Sequence, residues 1–405
     1  MITVKPFKAV RPTRDKVHLV ASRSYVSYNS AQLRNKLNEN PYSFLHIIHP
    51  DYSVKKIHKT SNLTERFQLV RKRYEQFIDQ DILIRDDQPA FYIYRQIKNG
   101  HPFIGIVAAI SIEDYLTGKI KIHEHTLAKR EETFTNYLST TNINAEPVLL
   151  MSERSSTLED IYEKYLAQRP EYDFSTTTTV RHQLWVIHAK EDIDKIEKAY
   201  ASMSALYIAD GHHRSASSAK LHEQRKKDGD TGLEPHNFCL AYIMDESSVR
   251  IYEFNRLVKD LNALTAEEFL ARLGETFYIN EAPSLYKPGQ KGEFSMYLNK
   301  QWYALNLKHS TNKLDSQVLS DSVLAPILNI KDLRKDKRIA FMEGPRGMEG
   351  LKNTVDKKQF QVAFGLYPVH ISELKSIADQ GENMPPKSTW VEPKLRSGLV
   401  IYELT

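Results

Sequence analysis

The longest apolar stretch in the chain, residues 103–112, is ten residues long and rich in β-branched side chains. A membrane-spanning helix needs about 20 residues, so this run reads as a strand buried in a sheet. Just before it, Asn99-Gly100 supplies the positive backbone angles of a tight hairpin turn, and residues 90–95 beyond that turn carry a second strand pattern. An antiparallel pair follows. Its apolar face needs a cover, which residues 65–78 offer, because Phe67, Val70, Tyr74, Phe77 and Ile78 fall on one stripe of a helix.

A chain of 405 residues exceeds one small core, and 41% apolar content is enough to build two or three packed units. The net charge of +5 comes from 56 basic and 51 acidic residues that are interspersed. Bulk charge therefore does not mark a nucleic-acid surface, and it suits a small anionic substrate. The single cysteine, Cys239, lies in an apolar run and has no internal disulfide partner, which fits a reducing compartment. The first sixteen residues, MITVKPFKAVRPTRDK, lack the apolar core of a signal peptide. A cytoplasmic protein with no membrane segment is expected.

Further along, residues 119–126 begin as an alternating strand and end in polar side chains. Residues 155–168 read as a helix, while residues 176–179 and 181–187 read as extended. A short apolar strand at 205–209 runs into Asp210-Gly211, and residues 215–227 have helix-compatible composition. Strands follow at 238–244 and 249–255. From residue 261 onward, helical patterns at 266–273 and 371–380 alternate with strands at 294–298, 302–307, 338–342 and 360–367. These patterns predict a mixed α/β (α+β) chain with a catalytic domain over 1–260 and a second α/β domain over 261–405.

Chemistry concentrates in three places. In Asp210-Gly211-His212-His213-Arg214, the glycine lets a strand turn sharply into a helix whose first amides face an anion with the helix dipole behind them. His212, His213 and Arg214 add donors, and Asp210 could hold a magnesium ion or orient a histidine. The bland alternative is a polar turn with a capping aspartate. The second cluster is His123-Glu124-His125-Thr126. Strand alternation would place His123 and His125 on one face and Glu124 on the other unless the strand has already ended. Glu124 is the candidate general base, with Asp210 and His125 next in line, and a solvated strand end is the alternative. His123, His125, Asp210, His212 and His213 could instead form a transition-metal hydrolase site. The third place is 384–398, a proline-rich loop that holds Lys387, Thr389, Trp390, Lys394 and Arg396 as candidate substrate contacts, or serves only as a rigid connector.

Taken together, Pro6-Phe7-Lys8 with Arg11-Pro12, Asn40-Pro41 through His46, Tyr92-Ile93-Tyr94-Arg95-Gln96, His123 to Thr126, Arg181-His182 with Trp185, Tyr207 to Arg214 and the 384–398 loop resemble the bacterial and archaeal family called domain of unknown function 1015. The resemblance covers essentially the whole chain. It implies a ParB/sulfiredoxin-like core, a relation to nucleotide-dependent free-serine kinases, and serine or phosphoserine as substrate. By carry-over, Gly211, His212, His213 and Arg214 bind phosphate, Glu124 matches the catalytic glutamate, ATP or ADP with Mg2+ is the cofactor, and His123 and Thr126 contact substrate. One departure stands out. Relatives carry Ala-Pro-Pro-Tyr-Asp near the N-terminus where this chain has Ala21-Ser22-Arg23-Ser24-Tyr25-Val26. The expected activity is phosphoryl transfer between a nucleotide and a small hydroxyl metabolite, in either direction. A metal-dependent phosphatase and a non-catalytic nucleotide-binding module are the alternatives. A homodimer is allowed, and nucleic acid is not an expected partner.

Overall fold

The computed structural model describes residues 1–51 and 62–405. The chain forms two compact units, one of Met1–Val249 with Pro393–Thr405 and one of Arg250–Glu392. The boundary expected at 260/261 thus falls earlier, and the chain re-enters the first unit at its end. Backbone pairing explains both shifts. Strand Arg250–Val258 is hydrogen-bonded to three strands of the second unit. Arg396–Ser397 and Tyr402–Glu403 pair instead with Ser22–Arg23 and Ile143–Asn144 of the first.

The first unit is organised by a nine-stranded mixed sheet. Its strands are β1 (Val4–Lys5), β2 (Phe91–Lys98), β3 (His101–Ser111), β4 (Ile120–Lys121), β5 (Val148–Ser152), β6 (Tyr172–Ser175), β7 (Arg181–Ile187), β8 (Leu206–Asp210) and β9 (Phe238–Asp245). Their spatial order is β6-β7-β2-β3-β9-β5-β8-β4, with β1 also on β3. The hairpin β2–β3 turns at Asn99 and Gly100, with φ of 51° and 76°, as the dipeptide dictates. β9 is buried from Phe238 through Met244 because it lies between β3 and β5 with both faces covered. On one face, Ile93, Ile106, Ala108, Ile110, Ala241 and Ile243 pack with α2 (Ser156–Leu166) and α3 (Lys190–Ala201), which follow α1 (Leu63–Asp79) in the chain. Truncating one of these isoleucines to alanine removes about 2–5 kcal/mol. Helix α1 buries Phe67, Val70, Tyr74 and Phe77, the stripe read from the sequence.

One local expectation is corrected. Residues 176–179 turn rather than extend: Thr179 has φ of 56° and its amide donates to the Thr176 carbonyl, reversing the chain between β6 and β7. Threonine hydroxyls that bond nearby backbone favour such turns. The strand that begins residues 119–126 is Ile120–Lys121, and the last strand of the chain is Tyr402–Glu403.

The second unit is built on a seven-stranded sheet. Its strands β10 (Arg250–Val258), β11 (Phe277–Ala282), β12 (Glu293–Leu298), β13 (Gln301–Leu307), β14 (Ile339–Glu343) and β15 (Val362–Gly365) take the order β11-β13-β12-β15-β10-β14, with β16 (Thr389–Glu392) also on β10. One core joins Phe269, Leu273, Phe294, Leu305, Leu328 and Phe364, and the other joins Leu257, Trp302, Met348 and Leu351. Both units mix strands with helices, so the α+β class stands.

Candidate active site

β4 and β8 run parallel, with Leu206 opposite Ile120 and Tyr207 opposite Lys121. Parallel strands deliver their C-terminal ends to the same edge of a sheet. His123-Glu124-His125-Thr126 follows one strand and Asp210-Gly211 the other, so the topology brings the two clusters together. The helices that continue from them, α4 (Ala128–Thr141) and α5 (His212–Arg225), lie side by side. Ser217 Oγ donates to the Glu131 carbonyl at 3.2 Å, and Thr135 Oγ1 donates to the Ser217 carbonyl at 3.3 Å.

Gly211 is the cap of α5, with φ of 111°. A β-carbon there would be strained by that angle, so the backbone calls for glycine; the nearest atoms, on the Arg214 guanidinium 2.9 Å away, end a flexible side chain. The helix begins at His212. Its first amides precede any intrahelical acceptor, apart from the Arg214 amide, which donates to the Gly211 carbonyl at 2.9 Å. The turn therefore presents the start of a 14-residue helix at the sheet edge.

The two histidines of the turn each bond a backbone amide of the neighbouring loop. His212 Nε2 accepts the His123 amide at 3.4 Å, and His213 Nε2 accepts the Leu127 amide at 3.1 Å. These ring atoms are acceptors that stitch one loop to the other, which places the proton of each neutral ring on Nδ1. His123 and His212 are 2% and 5% exposed, with ring centroids 4.4 Å apart. Burial pushes His123 down to about 4. Burial, with His123 beside it, holds His212 well below the usual imidazole range. Both rings are neutral near pH 7.

Asp210 Oδ2 accepts from Lys394 Nζ at 2.9 Å, and its Oδ1 lies 3.7 Å from Arg214 Nη2. Burial would raise this carboxyl, but the Lys394 and Arg214 charges overcome it and hold Asp210 down at about 2. Arg214 folds back over Gly211, donates to the Pro147 carbonyl and lies 3.9 Å from Glu146 Oε2. Glu124 is partly buried at a bend, and His125 is exposed. Because the strand has ended at Lys121, alternation does not separate Glu124 from its neighbours. Thr126 Oγ1 donates to Glu131, which Lys220 and Thr126 together hold below the usual carboxylate range.

The 384–398 loop is not one structural piece. Lys394 and Arg396 belong to the first unit, where Lys394 meets Asp210 and Ser397 Oγ donates to Glu146 Oε1 at 2.6 Å. Lys387, Thr389 and Trp390 belong to the second unit. There Lys387 Nζ sits 5.1 Å over the Phe254 ring, Thr389 pairs with Glu253, and Trp390 packs edge-on against Phe254. Of the candidate substrate contacts in this loop, the structure brings only Lys394 and Arg396 to the unit of the Asp210 turn. Sequence reading also missed Arg23, which pairs across from Arg396. Its signal lay in the departure at 21–26.

Among the described residues, no group of three or more His, Cys, Asp or Glu side chains could hold a metal ion. The transition-metal set proposed from sequence is not assembled: His212 and His213 use Nε2 on backbone amides, and Asp210 faces Lys394. No described helix is long and apolar enough to cross a membrane.

Fold and site together describe an α+β protein with a strand-turn-helix element opening at a parallel strand edge. The sequence profile described as Protein of unknown function (DUF1015) matches residues 4–325, and the chain belongs to that family. No curated protein matches it. Solved structures similar to it include a free serine kinase in complex with AMP, at 18% identity and a TM-score of 0.39, covering 74% of this chain and 92% of that one. A conserved hypothetical protein from Pyrococcus furiosus is 17% identical with a TM-score of 0.39, covering 76% and 97%. C-terminally truncated SbnI from Staphylococcus aureus is 12% identical with a TM-score of 0.40, covering 72% and 85%.

Proposed function

We propose that the chain binds a nucleotide by its phosphates at the Asp210–Arg214 turn and transfers a phosphoryl group to or from a small hydroxyl metabolite, with serine and phosphoserine as the first candidates. One observation carries the reading: Gly211, at φ of 111°, opens a 14-residue helix beside the loop that follows a parallel strand. Such a helix start offers unpaired amides and a positive dipole end to an anion. Phosphoryl transfer asks a protein mainly for positioning and charge neutralisation. The amides of Gly211, His212 and His213 would seat phosphate oxygens, and Lys394, released from Asp210, would add a cation. Asp210 suits magnesium, which commonly takes one carboxylate and fills its shell with water and phosphate oxygens. Magnesium would supply charge neutralisation between phosphates. Glu124 would take the proton of the attacking hydroxyl, and the buried His123–His212 contact would keep its loop in place.

Titration with ATP and ADP, with and without magnesium and serine, followed by phosphorus NMR of the mixture, tests this reading. The expected result is nucleotide binding with exchange between serine and phosphoserine. Binding without exchange would support the non-catalytic module, and no binding would end the proposal. In the active enzyme, Glu124→Gln should lower turnover by about 100-fold or more with nearly unchanged nucleotide affinity.

A further inference from the structure

Arg23 and Arg396 are directly opposed in the short antiparallel pair Ser22–Arg23 with Arg396–Ser397. Opposed residues of such a pair share a face with β-carbons about 5 Å apart, and like charges placed so destabilise it. Neither guanidinium forms an ion pair with a carboxylate among the described residues. Arg23 lies 4.6 Å over the Tyr28 ring, which orients it without neutralising it. Arg396 is partly buried, and burial, with Arg23 beside it, disfavours its charge. A fold that holds two cations together without an anion is prepared for one that arrives.

The surroundings support an oxyanion ligand. The Arg396 charge acts on Tyr94 and His182. His182 is 0% exposed, and its Nδ1 shares a hydrogen bond of 2.7 Å with Tyr94 Oη, while its Nε2 has no partner among the described residues. Gln96 is opposite His182 in the β7–β2 ladder and therefore on the same face, and its Nε2 is also buried without a partner. Tyr94, two residues before Gln96, shares that face. Two unspent buried polar groups thus accompany two unpaired guanidiniums. Lys394, which holds Asp210, is two residues from Arg396, about 7 Å along an extended chain. That is the scale of a small molecule with an anionic group at one end and a hydroxyl or phosphate at the other.

We propose that Arg23 and Arg396 form a clamp for the carboxylate of a small hydroxy or amino acid whose hydroxyl or phosphoryl end lies at the Asp210 turn. The clamp rests on the phosphotransferase reading for the position of that other end, though not for carboxylate binding itself. Carboxylate is preferred to a second phosphate because the helix start already serves phosphate, and a guanidinium fork matches the two oxygens of a planar carboxylate.

Calorimetric titration of the full chain with O-phosphoserine, O-phosphoethanolamine, inorganic phosphate and ADP separates the possibilities. Phosphoethanolamine is phosphoserine without the carboxylate. The wild-type chain should bind phosphoserine at least tenfold more tightly than phosphoethanolamine. Arg396→Gln, and independently Arg23→Gln, should weaken phosphoserine by about 10- to 100-fold and leave phosphoethanolamine and ADP unchanged. Circular dichroism and melting confirm that each variant is folded, and Arg396→Lys, which keeps the charge and loses the fork, should fall between. Equal binding of the two phosphate esters, or phosphoserine affinity untouched in both glutamine variants, overturns the clamp, as does no binding of phosphoserine. Loss of inorganic phosphate binding in Arg396→Gln would mean that the arginines serve phosphate, which also overturns it. If ADP fails to bind while phosphoserine still depends on Arg396, the nucleotide reading falls and the clamp stands.

Discussion

Arg11 in the first unit and Arg256 in the second are both buried, and the two units treat them oppositely. Arg11, 9% exposed, donates through Nε to Asp86 Oδ1 at 2.8 Å and through Nη1 to Glu171 Oε1 and Tyr172 Oη, each at 2.8 Å. Burial works against its charge, but Tyr172, Asp86 and Glu171 more than offset it and raise its basicity. Arg256, 0% exposed, donates through Nη1 to the Phe254 and Lys387 carbonyls and lies 4.7 Å from the Phe341 ring. Its Nε and Nη2 have no partner among the described residues, and burial pushes it down to about 9. Burial of a charge is tolerated where acids meet it and remains a cost where only carbonyls do. A third solution is to give the charge up, as His123 and His182 do.

That third case gives the largest expected effect. Burial holds His123 at about 4 and His182 at about 3, so the folded state takes up their protons later than the unfolded chain, where imidazole titrates near 6.5. Their contribution is complete above pH 6.5 and is lost as the pH falls toward their folded values, roughly 3 kcal/mol from each ring by pH 4. Urea denaturation of the first unit between pH 7.5 and 4 should show this fall, and His182→Gln should flatten it. A slope unchanged by that substitution would mean the ring does not carry the effect.

Next in size, Asp86→Ala should cost about 2–4 kcal/mol, because it leaves Arg11 with Glu171 as its one carboxylate partner among the described residues and removes the acceptor of Tyr92 Oη at 2.7 Å. A loss below 1 kcal/mol in chemical denaturation would break the contrast between the arginines. Arg256→Met should be neutral or raise the stability of the second unit by about 1–4 kcal/mol, as replacement of unmatched buried charge often does. Marked destabilisation would show that the guanidinium is satisfied after all. The smallest effect belongs to Asn29→Ala, which removes the Asn29–Gln32 capping box of the helix Ser30–Glu39 for about 1 kcal/mol, read as a small drop in melting temperature.

What the sequence disclosed was local. The Asn99-Gly100 hairpin, the α1 stripe and the strand-turn-helix at Asp210 each depend on residues within one or two turns of each other, so composition and spacing reveal them. The pairing of β4 with β8 joins segments more than 80 residues apart, and two residues of strand leave little pattern to read. The hydrogen bonds of the turn's histidines were not legible because their partners, the amides of His123 and Leu127, carry no side-chain signature. The 384–398 loop looked continuous because nothing in its composition marks the point where pairing with Arg250–Glu253 ends and pairing with Ser22–Arg23 begins.

The central claim is that phosphate is seated by the amides at the start of α5. The most direct test is to follow the backbone amide resonances of Gly211, His212 and His213 by nitrogen-15 NMR while ADP, and separately adenosine, is added. The account predicts large shifts of these three amides with ADP and little movement with adenosine. Saturating ADP that moves other resonances and leaves these three in place would contradict it.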